Sequence, residues 1–469
     1  MSLKIYSTLS RKKEKFEPIN PPNVGLYTCG PTVYWYQHIG NLKAYIFADT
    51  LKRILIYDGY KVKHVINVTD VGHLTSDEDT GEDKVEKAAK REGKTAEEIS
   101  KYYFDLFEED LSKLNVIPPF VWSWATKHIK EQIELIKTLE KKSYTYRTSD
   151  GIYFDTSKIN PKDYARLGRL DLKGLEAGKR IDIGEKKNKT DFALWKFSEK
   201  PGVRQQEWDS PWGIGFPGWH IECSAMSMKY LGEQFDIHTG GEEHIPVHHT
   251  NEIAQSECAT GKKPWVKYWM HQRWLVDETG EKMSKSKGGI LTLSELERKG
   301  YSPMVYRYFV LGTHYRKPLY FSFEKIDSAK NAYERLKNII AEIEDDGELN
   351  KNYLKEFQNA IDDDLNIPEA LQVLWKLIRD ENAKGKYRTI KKMDGVLGLK
   401  LLEKNNIKIP GEIRTLADER EKYRKNKNWK KADELREKIK SLGYDILDGK
   451  EGWEIKIFKE TFRNPLNQV

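Results

Sequence analysis

One loop of the sequence holds two kinds of side chain that could do chemistry. The stretch from Leu26 to Asn41, LYTCGPTVYWYQHIGN, contains a thiol at Cys29 and a tetrapeptide, HIGN, that begins at His38. A strand pattern precedes the loop and a helical pattern follows it, so free backbone N–H groups at the helix start would favour a phosphate. Alone, the tetrapeptide is a weak indication, because a histidine before a helix is more often a cap.

A second candidate site is the sequence KMSKS, in which Lys282 and Lys285 flank small residues ahead of two glycines. Such a charge run is usually a solvated surface. Its composition also suits a clamp on a triphosphate, because the lysines would supply positive charge where negative charge develops as pyrophosphate leaves. HIGN near the N-terminus with KMSKS much later in the chain resembles the two signatures of class I aminoacyl-tRNA synthetases.

Four further side chains have the chemistry of a zinc site. Cys29 and Cys223 offer thiolates, and His248 and Glu252 are four residues apart, which would place them on one face of a helix. All four groups are acceptable zinc ligands. The residues alone leave two interpretations open with equal weight, a zinc site and buried cysteines that bind nothing.

The order of five segments resembles the cysteinyl-tRNA synthetase family along the whole chain. The segments are TCGPTVY, HIGN, PGWHIECSAM, HHTNEIAQSE and KMSKS. The third and fourth are specific to that family rather than to class I enzymes generally. The resemblance implies a ligase that uses ATP to convert L-cysteine to cysteinyl-adenylate and transfers cysteine to the 3′ end of tRNA(Cys). It also implies one zinc ion per chain, magnesium with the ATP, and a monomer.

The resemblance assigns the zinc ligands residue by residue, as Cys29, Cys223, His248 and Glu252. Zinc suits a cysteine pocket because a soft thiolate binds it far better than a serine hydroxyl does. An apolar pocket, in contrast, separates isosteres poorly. A coordinating thiol is deprotonated, so affinity for cysteine should rise with pH.

The resemblance also assigns contacts to ATP and to cysteine. The residues implied in catalysis and in binding the phosphates of ATP are His38, Asn41, Lys282 and Lys285. Those implied in binding the nucleoside are Gly240, Gly241 and Glu243. Those implied in the cysteine pocket are Thr69, Trp219, His220 and His238. The family often has aspartate in place of Glu243 and histidine in place of Asn41, which leaves these two contacts open.

The bulk composition limits the class of protein. At 469 residues the chain is long enough for about three domains. No apolar run approaches the roughly 18 residues of a membrane span, and no signal-peptide segment opens the sequence, so we expect a cytoplasmic protein without a membrane partner. Three cysteines cannot form a disulfide framework, which fits a reducing compartment. The net charge of +7 suits a nucleic-acid partner without proving one.

The elements around these residues predict an α/β fold. We expect a Rossmann-type nucleotide-binding catalytic domain with an insertion, followed by a helical bundle and a small basic α/β C-terminal domain. The predicted segments are 1–117 and 205–262 for the two halves of the catalytic domain, 118–204 for the connective insertion, 263–328 for the KMSKS junction, 329–405 for the bundle and 406–469 for an anticodon-binding domain.

The C-terminal segment is predicted to contain one strongly basic helix and a hairpin. The helix would have an apolar inner face, and the hairpin would turn at Asp448 and Gly449. The basic outer face is either a solvated surface or a phosphate-binding one, and the neighbouring hairpin favours the second. The expected inner-face residues are Trp429, Ala432, Leu435, Ile439 and Leu442.

Two other functions remain as alternatives. A ligase that joins cysteine to an amino-sugar shares the catalytic half of the family but lacks a C-terminal tRNA-binding region, which this sequence has. A zinc-stabilised RNA-binding protein without catalysis would have no need of the KMSKS segment.

Overall fold

The structure is a computed structural model that divides into two compact units, Met1–Leu402 and Glu403–Val469. None of the helices that it describes is long and apolar enough to cross a membrane. The described residues are 2–72, 74, 83–169, 185–283, 291–403, 411–449 and 452–457.

The described strands are short. They are β1 (Lys4–Ser7), β2 (Lys12–Lys15), β3 (Asn23–Thr28), β4 (Lys61–Val68), β5 (Val121–Trp124), β6 (Thr145–Arg147), β7 (Gly151–Phe154), β8 (Phe192–Phe197), β9 (Gly215–Pro217), β10 (Phe235–Gly241), β11 (Val266–Gln272), β12 (Leu275–Val276), β13 (Leu319–Tyr320), β14 (Tyr444–Gly449) and β15 (Gly452–Ile457).

The described α-helices contain more residues than the strands do. They are α1 (Ile39–Tyr57), α2 (Lys84–Glu92), α3 (Ala96–Lys113), α4 (Ile129–Lys141), α5 (Pro161–Tyr164), α6 (Trp219–Leu231), α7 (His248–Thr260), α8 (Leu293–Arg298), α9 (Pro303–Leu311), α10 (Phe323–Ala341), α11 (Lys351–Asp362), α12 (Ile367–Arg379), α13 (Lys386–Leu397), α14 (Gly411–Lys425) and α15 (Trp429–Ser441).

The larger unit is built on a five-stranded parallel sheet in the order β11-β10-β3-β4-β5. The chain runs outward from β3 in one direction through β4 and β5, and in the other through β10 and β11. The strand order therefore reverses between β3 and β10. In open α/β sheets, ligands bind at the carboxyl ends of the strands at such a switch point. The sheet confirms the predicted Rossmann-type fold.

Two sheet strands lie outside the segments predicted to form the catalytic domain. β5 begins at Val121 and pairs with β4, although residues 118–204 were expected to form the insertion. β11 begins at Val266 and pairs with β10, although residues 263–328 were expected to form the junction. β5 has only four residues, which is too few for periodicity to distinguish a sheet strand from a loop segment.

The inserted segment forms a four-stranded antiparallel sheet in the order β6-β7-β8-β9. Its core includes Phe154 and Trp195, and the same core contains Ile221 of α6 and Ala254 of α7. Helices α6 and α7 carry three of the four residues of the predicted metal site, Cys223, His248 and Glu252. The insertion therefore stabilises the two helices on the side away from the main sheet.

The smaller unit contains two basic helices rather than one. The helical conformation is interrupted at Lys427, whose φ is +56°. Asn428 then caps α15 by accepting a hydrogen bond from the Lys431 N–H. This break leaves Trp429, expected on the inner face, 58% exposed, with Leu442 42% exposed. The hairpin also turns later than predicted, because Gly449 pairs with Gly452 in the ladder between β14 and β15.

Candidate active site and metal centre

A cavity of about 490 Å³ lies at the carboxyl ends of β3 and β10, against the first turn of α1. The residues that line it include most of the sequence-predicted site. These are Cys29, His38, Asn41, Thr69, Trp219, Cys223, Gly240, Gly241, Glu243, His248 and Lys282. Three other predicted residues are buried behind this lining, namely His220, His238 and Glu252. Lys285 lies outside the described residues.

The loop between Cys29 and α1 is held by its own side chains. His38 is the N-cap of α1, where its Nδ1 accepts a hydrogen bond from the Asn41 N–H at 3.2 Å. The Asn41 side chain accepts in return from the His38 N–H at 3.3 Å. The two residues therefore form a capping box, which fixes their position at the mouth of the cavity.

Asn67 and two glycines keep the cavity walls close together. The Gly30 N–H donates to the Asn67 side chain at 2.7 Å, and Asn67 also donates to the Thr69 hydroxyl at 3.0 Å. A Cβ atom on Gly240 would lie 2.6 Å from the His249 ring, and one on Gly241 would lie 2.2 Å from the Glu243 carboxylate. A larger residue at either glycine would displace side chains of the site itself.

The four predicted zinc ligands come together although they are far apart in sequence. One ligand atom from each of Cys29, Cys223, His248 and Glu252 lies within 4.8 Å of the other three, and all four residues are buried. Two sulfur atoms, one nitrogen and one oxygen form a donor set that suits zinc. A second group with the same spacing replaces Cys223 and His248 by His238 and His249.

The first of these groups has the hydrogen bonds that a metal site requires around it. His248 uses its Nδ1 in a 2.9 Å contact with His220, which leaves Nε2 facing the cluster. Glu252 Oε2 lies 2.9 Å from His238 Nε2, and the other carboxylate oxygen, Oε1, lies 2.9 Å from His248 Nε2. Outer partners such as His220 and His238 orient metal ligands, and the ligand atoms of His248 and Glu252 already converge on one point.

The ionisable groups of the cluster shift one another strongly. Burial raises the pKa of the Cys223 thiol, but the hydrogen bond from Cys29 and the nearby His248 outweigh it and lower that pKa to about 6. Burial lowers the pKa of His248, but the charges of Glu252 and Cys223 raise it to about 10. The pKa of Glu252 falls to about 2, because His238 and His248 outweigh the effect of its burial. The Cys223 thiolate and the Glu252 carboxylate are thus stabilised while His248 carries a proton, which it would have to lose to bind a metal ion. Burial and the neighbouring Cys223 raise the pKa of the Cys29 thiol well above its usual range.

Helices α6 and α7 position the ligands by helical spacing. Cys223 lies one turn after Trp219, and Glu252 lies one turn after His248. The half-buried Trp219 stacks on the His248 ring, with centroids 4.3 Å apart and planes at 23°. Trp219 therefore covers one side of the metal-binding group and lines the cavity with its exposed part.

The other wall of the cavity holds an ion pair between two predicted ATP residues. Lys282 Nζ lies 3.0 Å from Glu243 Oε1, and Trp274 Nε1 donates to Glu243 Oε2 at 2.9 Å. Burial raises the pKa of Glu243, but His244 and Lys282 outweigh it and lower that pKa to about 2. The Glu243 carboxylate is therefore ionised and engaged with the first lysine of KMSKS.

Several residues of the site were missed by the reasoning from sequence. His249 shares hydrogen bonds with Cys29 at 3.1 Å and with His271 at 2.7 Å, so a row of histidines lies behind the ligands. Asn67 and Trp274 were missed as well. The histidine pair in HHTNE was a visible indication for His249, whereas the others gave none before the strands were placed.

Comparisons with known proteins agree with this geometry. Residues 15–331 match the family of tRNA synthetases class I (C) catalytic domain, and residues 356–402 match the DALR domain. The solved Mycobacterium tuberculosis methionyl-tRNA synthetase bound by methionyl-adenylate has a TM-score of 0.53 and 15% identity, covers 80% of this chain and 90% of its own, and shows the shared fold.

Two curated relatives match almost the full length. The cysteine–tRNA ligase 1 of Burkholderia lata is 48% identical over 455 residues, which are 96% of this chain and 96% of the relative. The cysteine–tRNA ligase of Treponema denticola is 46% identical over 494 aligned positions, covering 97% of this chain and 100% of the relative. The chain therefore belongs to the cysteine–tRNA ligase family of class I tRNA synthetases.

Proposed function

We propose that this chain joins L-cysteine to tRNA(Cys) in two steps. In the first, the carboxylate of cysteine attacks the α-phosphorus of ATP, and the bond to pyrophosphate breaks. In the second, a hydroxyl at the 3′ end of the tRNA attacks the carbonyl carbon of the adenylate, and AMP leaves. The observation that carries the proposal is the buried Cys29, Cys223, His248 and Glu252 cluster in the same cavity as HIGN and Lys282.

The cluster is proposed to hold one zinc ion and to select cysteine. When bound there, zinc supplies a soft Lewis acid that prefers a thiolate to a hydroxyl. Around it, the chain itself shapes the pocket. Trp219 would close over the substrate and Thr69 would contact it, since both line the cavity. His220 and His238 touch His248 and Glu252 rather than the cavity, so they are proposed to orient ligands.

The ATP side is proposed to work by positioning and charge. His38 and Asn41, fixed by their capping box, would hold the triphosphate, with magnesium accompanying the nucleotide. Lys282 and Lys285 would stabilise the departing pyrophosphate. Gly240 and Gly241 would form the wall beside the nucleoside, and Glu243 would contact the ribose. Since the Glu243 carboxylate binds Lys282 in the structure, the ribose of ATP would have to compete with that lysine for Glu243.

The wider setting is also a proposal. We expect a cytoplasmic monomer, with the smaller unit at Glu403–Val469 contacting the anticodon region of the tRNA. Its helices α14 and α15 carry many lysine and arginine residues, as a surface that binds phosphates requires.

The direct test is transfer of labelled cysteine onto total tRNA by the zinc-loaded protein with ATP and excess serine. Acid-precipitable label that survives the serine would establish the acceptor, the amino acid and its selection together. Cysteine-dependent exchange of pyrophosphate into ATP without transfer to tRNA would keep the adenylate step and point to an amino-sugar acceptor. Absence of both reactions would overturn the proposal.

A further inference from the structure

An aromatic surface lies beside the active-site cavity and has no role in the chemistry described above. Tyr36 and Tyr102 are 39% and 42% exposed, which is unusual for side chains of this size. Their rings pack against a shared neighbour, Tyr103, with centroid distances of 5.3 Å and 5.1 Å. Trp35 packs edge-on against Tyr36 at 5.5 Å. We call Trp35, Tyr36 and Tyr102 the aromatic ledge, and Tyr103, which is 3% exposed, lies beneath it.

The aromatic ledge is tied directly to the rim of the cavity. Trp35 and Tyr36 lie in the loop between Cys29 and His38, and their neighbours Tyr34 and Gln37 both line the cavity. The ledge is therefore within a residue or two of the side chains that form the cavity entrance.

Helix α2 connects the same two places with positive charge. Lys84, the first residue of α2, lines the cavity, and the three exposed residues of the helix are all basic, namely Lys87, Lys90 and Arg91. A rise of 1.5 Å per residue places Arg91 about 10 Å from Lys84 along the axis. With Lys94, which follows the helix, these residues form a basic stripe that runs from the cavity to the ledge.

The stripe and the ledge meet in contacts between cations and rings. The Arg91 guanidinium lies 4.1 Å from the centre of the Trp35 ring, and Lys94 Nζ lies 4.9 Å from the centre of Tyr102. Glu92 also binds here, accepting from the Tyr103 hydroxyl at 2.7 Å and from Arg91 at 2.9 Å. The Glu98 carboxylate also lies near Lys94, so two carboxylates accompany the cations of the stripe, which keeps a net positive charge. The Arg91 guanidinium already lies over the Trp35 ring, where a flat ligand would stack.

Aromatic rings next to a row of cations are the combination that binds single-stranded nucleic acid. Bases stack on the rings, and the cations follow the phosphates. We propose that the aromatic ledge and the basic stripe bind the unpaired 3′ strand of tRNA and guide its terminal hydroxyl into the cavity. This inference rests on the proposed function, because transfer requires the 3′ end to reach the cavity, and charge complementarity selects RNA as the occupant.

The test compares two RNAs on two proteins. Intact tRNA and tRNA trimmed of its unpaired 3′ nucleotides are each titrated onto the full chain and onto the Tyr36→Ala/Tyr102→Ala variant. We expect intact tRNA to bind at least about tenfold more weakly to the variant, because each stacked base is worth roughly 1–3 kcal/mol. Trimmed tRNA should bind both proteins equally.

Two control variants separate stacking from other effects. Tyr36→Phe/Tyr102→Phe keeps the rings and should retain the binding of intact tRNA. Phe120→Ala removes a ring that is 65% exposed and lies under Lys63 Nζ at 4.9 Å. Phe120 precedes the edge strand β5 at its amino end, whereas the cavity lies at the carboxyl ends of the central strands. Phe120→Ala should leave the binding of both RNAs unchanged.

A second measurement examines the stripe. Log affinity falls as log salt rises, and each phosphate contact on a single strand contributes about 0.7 to the steepness of that fall. Lys87→Ala/Arg91→Ala should therefore make the fall shallower by about 1.4. The proposal would be overturned if the full chain and the Tyr36→Ala/Tyr102→Ala variant bound intact tRNA equally well. It would also be overturned if that variant bound intact and trimmed tRNA more weakly to the same extent. Cysteine-dependent pyrophosphate exchange, which needs no RNA, reports separately on the proposed function and on folding of each variant.

Discussion

Cys223 is the residue at which the proposed selection of cysteine can be examined most directly. Its thiol belongs to the metal cluster and is 1% exposed. We expect Cys223→Ser to raise the KM for cysteine in pyrophosphate exchange by at least about 100-fold and to lower the zinc content, because a hydroxyl is a poor zinc ligand. The KM for ATP should change by no more than a few fold, since the ATP residues lie on the other wall.

Cys258→Ser is the matched control for that variant. Cys258 is also a free, partly buried cysteine, but it packs with the core of the insertion and not with the metal cluster. It should retain both KM values and its zinc. Equal losses for cysteine and ATP in Cys223→Ser would contradict the assigned role.

Lys43 is a buried lysine whose positive charge destabilises the folded state. Burial lowers its pKa to about 7, although Glu242 and Glu243 oppose the shift. Its ammonium donates to the Gln272 side chain and to the Arg273 carbonyl at 2.6 Å. The unfolded chain keeps the proton up to about pH 10, so the folded state binds fewer protons above pH 7. Lys43 therefore destabilises the fold fully below pH 7, and this effect disappears as the pH rises towards 10.

The measurement is urea unfolding of the wild-type chain and Lys43→Met at pH 7 and pH 10. The free energy of unfolding of the wild-type chain, minus that of the variant, should rise by about 3–4 kcal/mol between the two pH values. Lys61→Met, at an exposed lysine, should show no such rise. A difference that stays constant with pH for Lys43→Met would show that burial does not perturb this lysine.

The sequence indicated which individual residues could do chemistry, but it did not indicate which side chains they contact. The resemblance and the donor chemistry pointed to His248 and Glu252, and helical spacing correctly placed them on one face. That Glu243 pairs with Lys282 could not be predicted, because β10 and the KMSKS segment become neighbours only after the sheet has formed. Asn67, which bonds to Gly30 and Thr69, was hidden for the same reason.

At the scale of elements, one buried ion pair connects four helices of the larger unit. Arg307 of α9 is fully buried and binds Asp49 of α1 at 2.6 Å. Its other nitrogens donate to the carbonyls of Leu397, at the end of α13, and of Leu114, just after α3. Helix α1 starts at the mouth of the cavity and Asp49 lies in its middle, so this pair holds in place the helix that follows His38.

We expect Arg307→Met to reduce the free energy of unfolding by about 3–5 kcal/mol, because the substitution removes one partner of a buried pair and leaves Asp49 with Arg53 alone as a cation. Lys13→Ala provides the control, since Lys13 and Asp363 are 2.7 Å apart but exposed. That change should cost less than about 1 kcal/mol. Denaturant unfolding measures both, and similar costs for the two variants would contradict the assignment.

The errors in predicting elements came from short or interrupted patterns. The patterns of β3 and β4 were long enough to indicate a Rossmann-type sheet, whereas β5 has four residues and was attributed to the insertion. In the smaller unit the basic composition continues across Lys427, so it did not indicate the break between α14 and α15. Composition predicts which face is charged better than it predicts where a helix ends.

At the scale of the whole molecule, the division into two units distinguishes the activation of cysteine from the recognition of tRNA. The residues that line the active-site cavity all belong to Met1–Leu402. The smaller unit has an apolar core of its own, which contains Ile413, Leu416, Ala417, Ile439 and Ile446. Activation of cysteine should therefore depend on the first unit, and recognition of tRNA should depend on both.

A chain shortened to end at Leu402 tests this division. We expect it to keep cysteine-dependent pyrophosphate exchange, with KM values for cysteine and ATP within a few fold of those of the full chain. Transfer of cysteine to tRNA should fall by at least about tenfold, since the basic helices α14 and α15 would be missing and phosphate contacts supply much of the affinity for nucleic acid. A cooperative unfolding transition would show that the shortened chain is folded. Loss of exchange in a folded shortened chain would mean that the smaller unit supports activation, and undiminished transfer would mean that it does not bind tRNA.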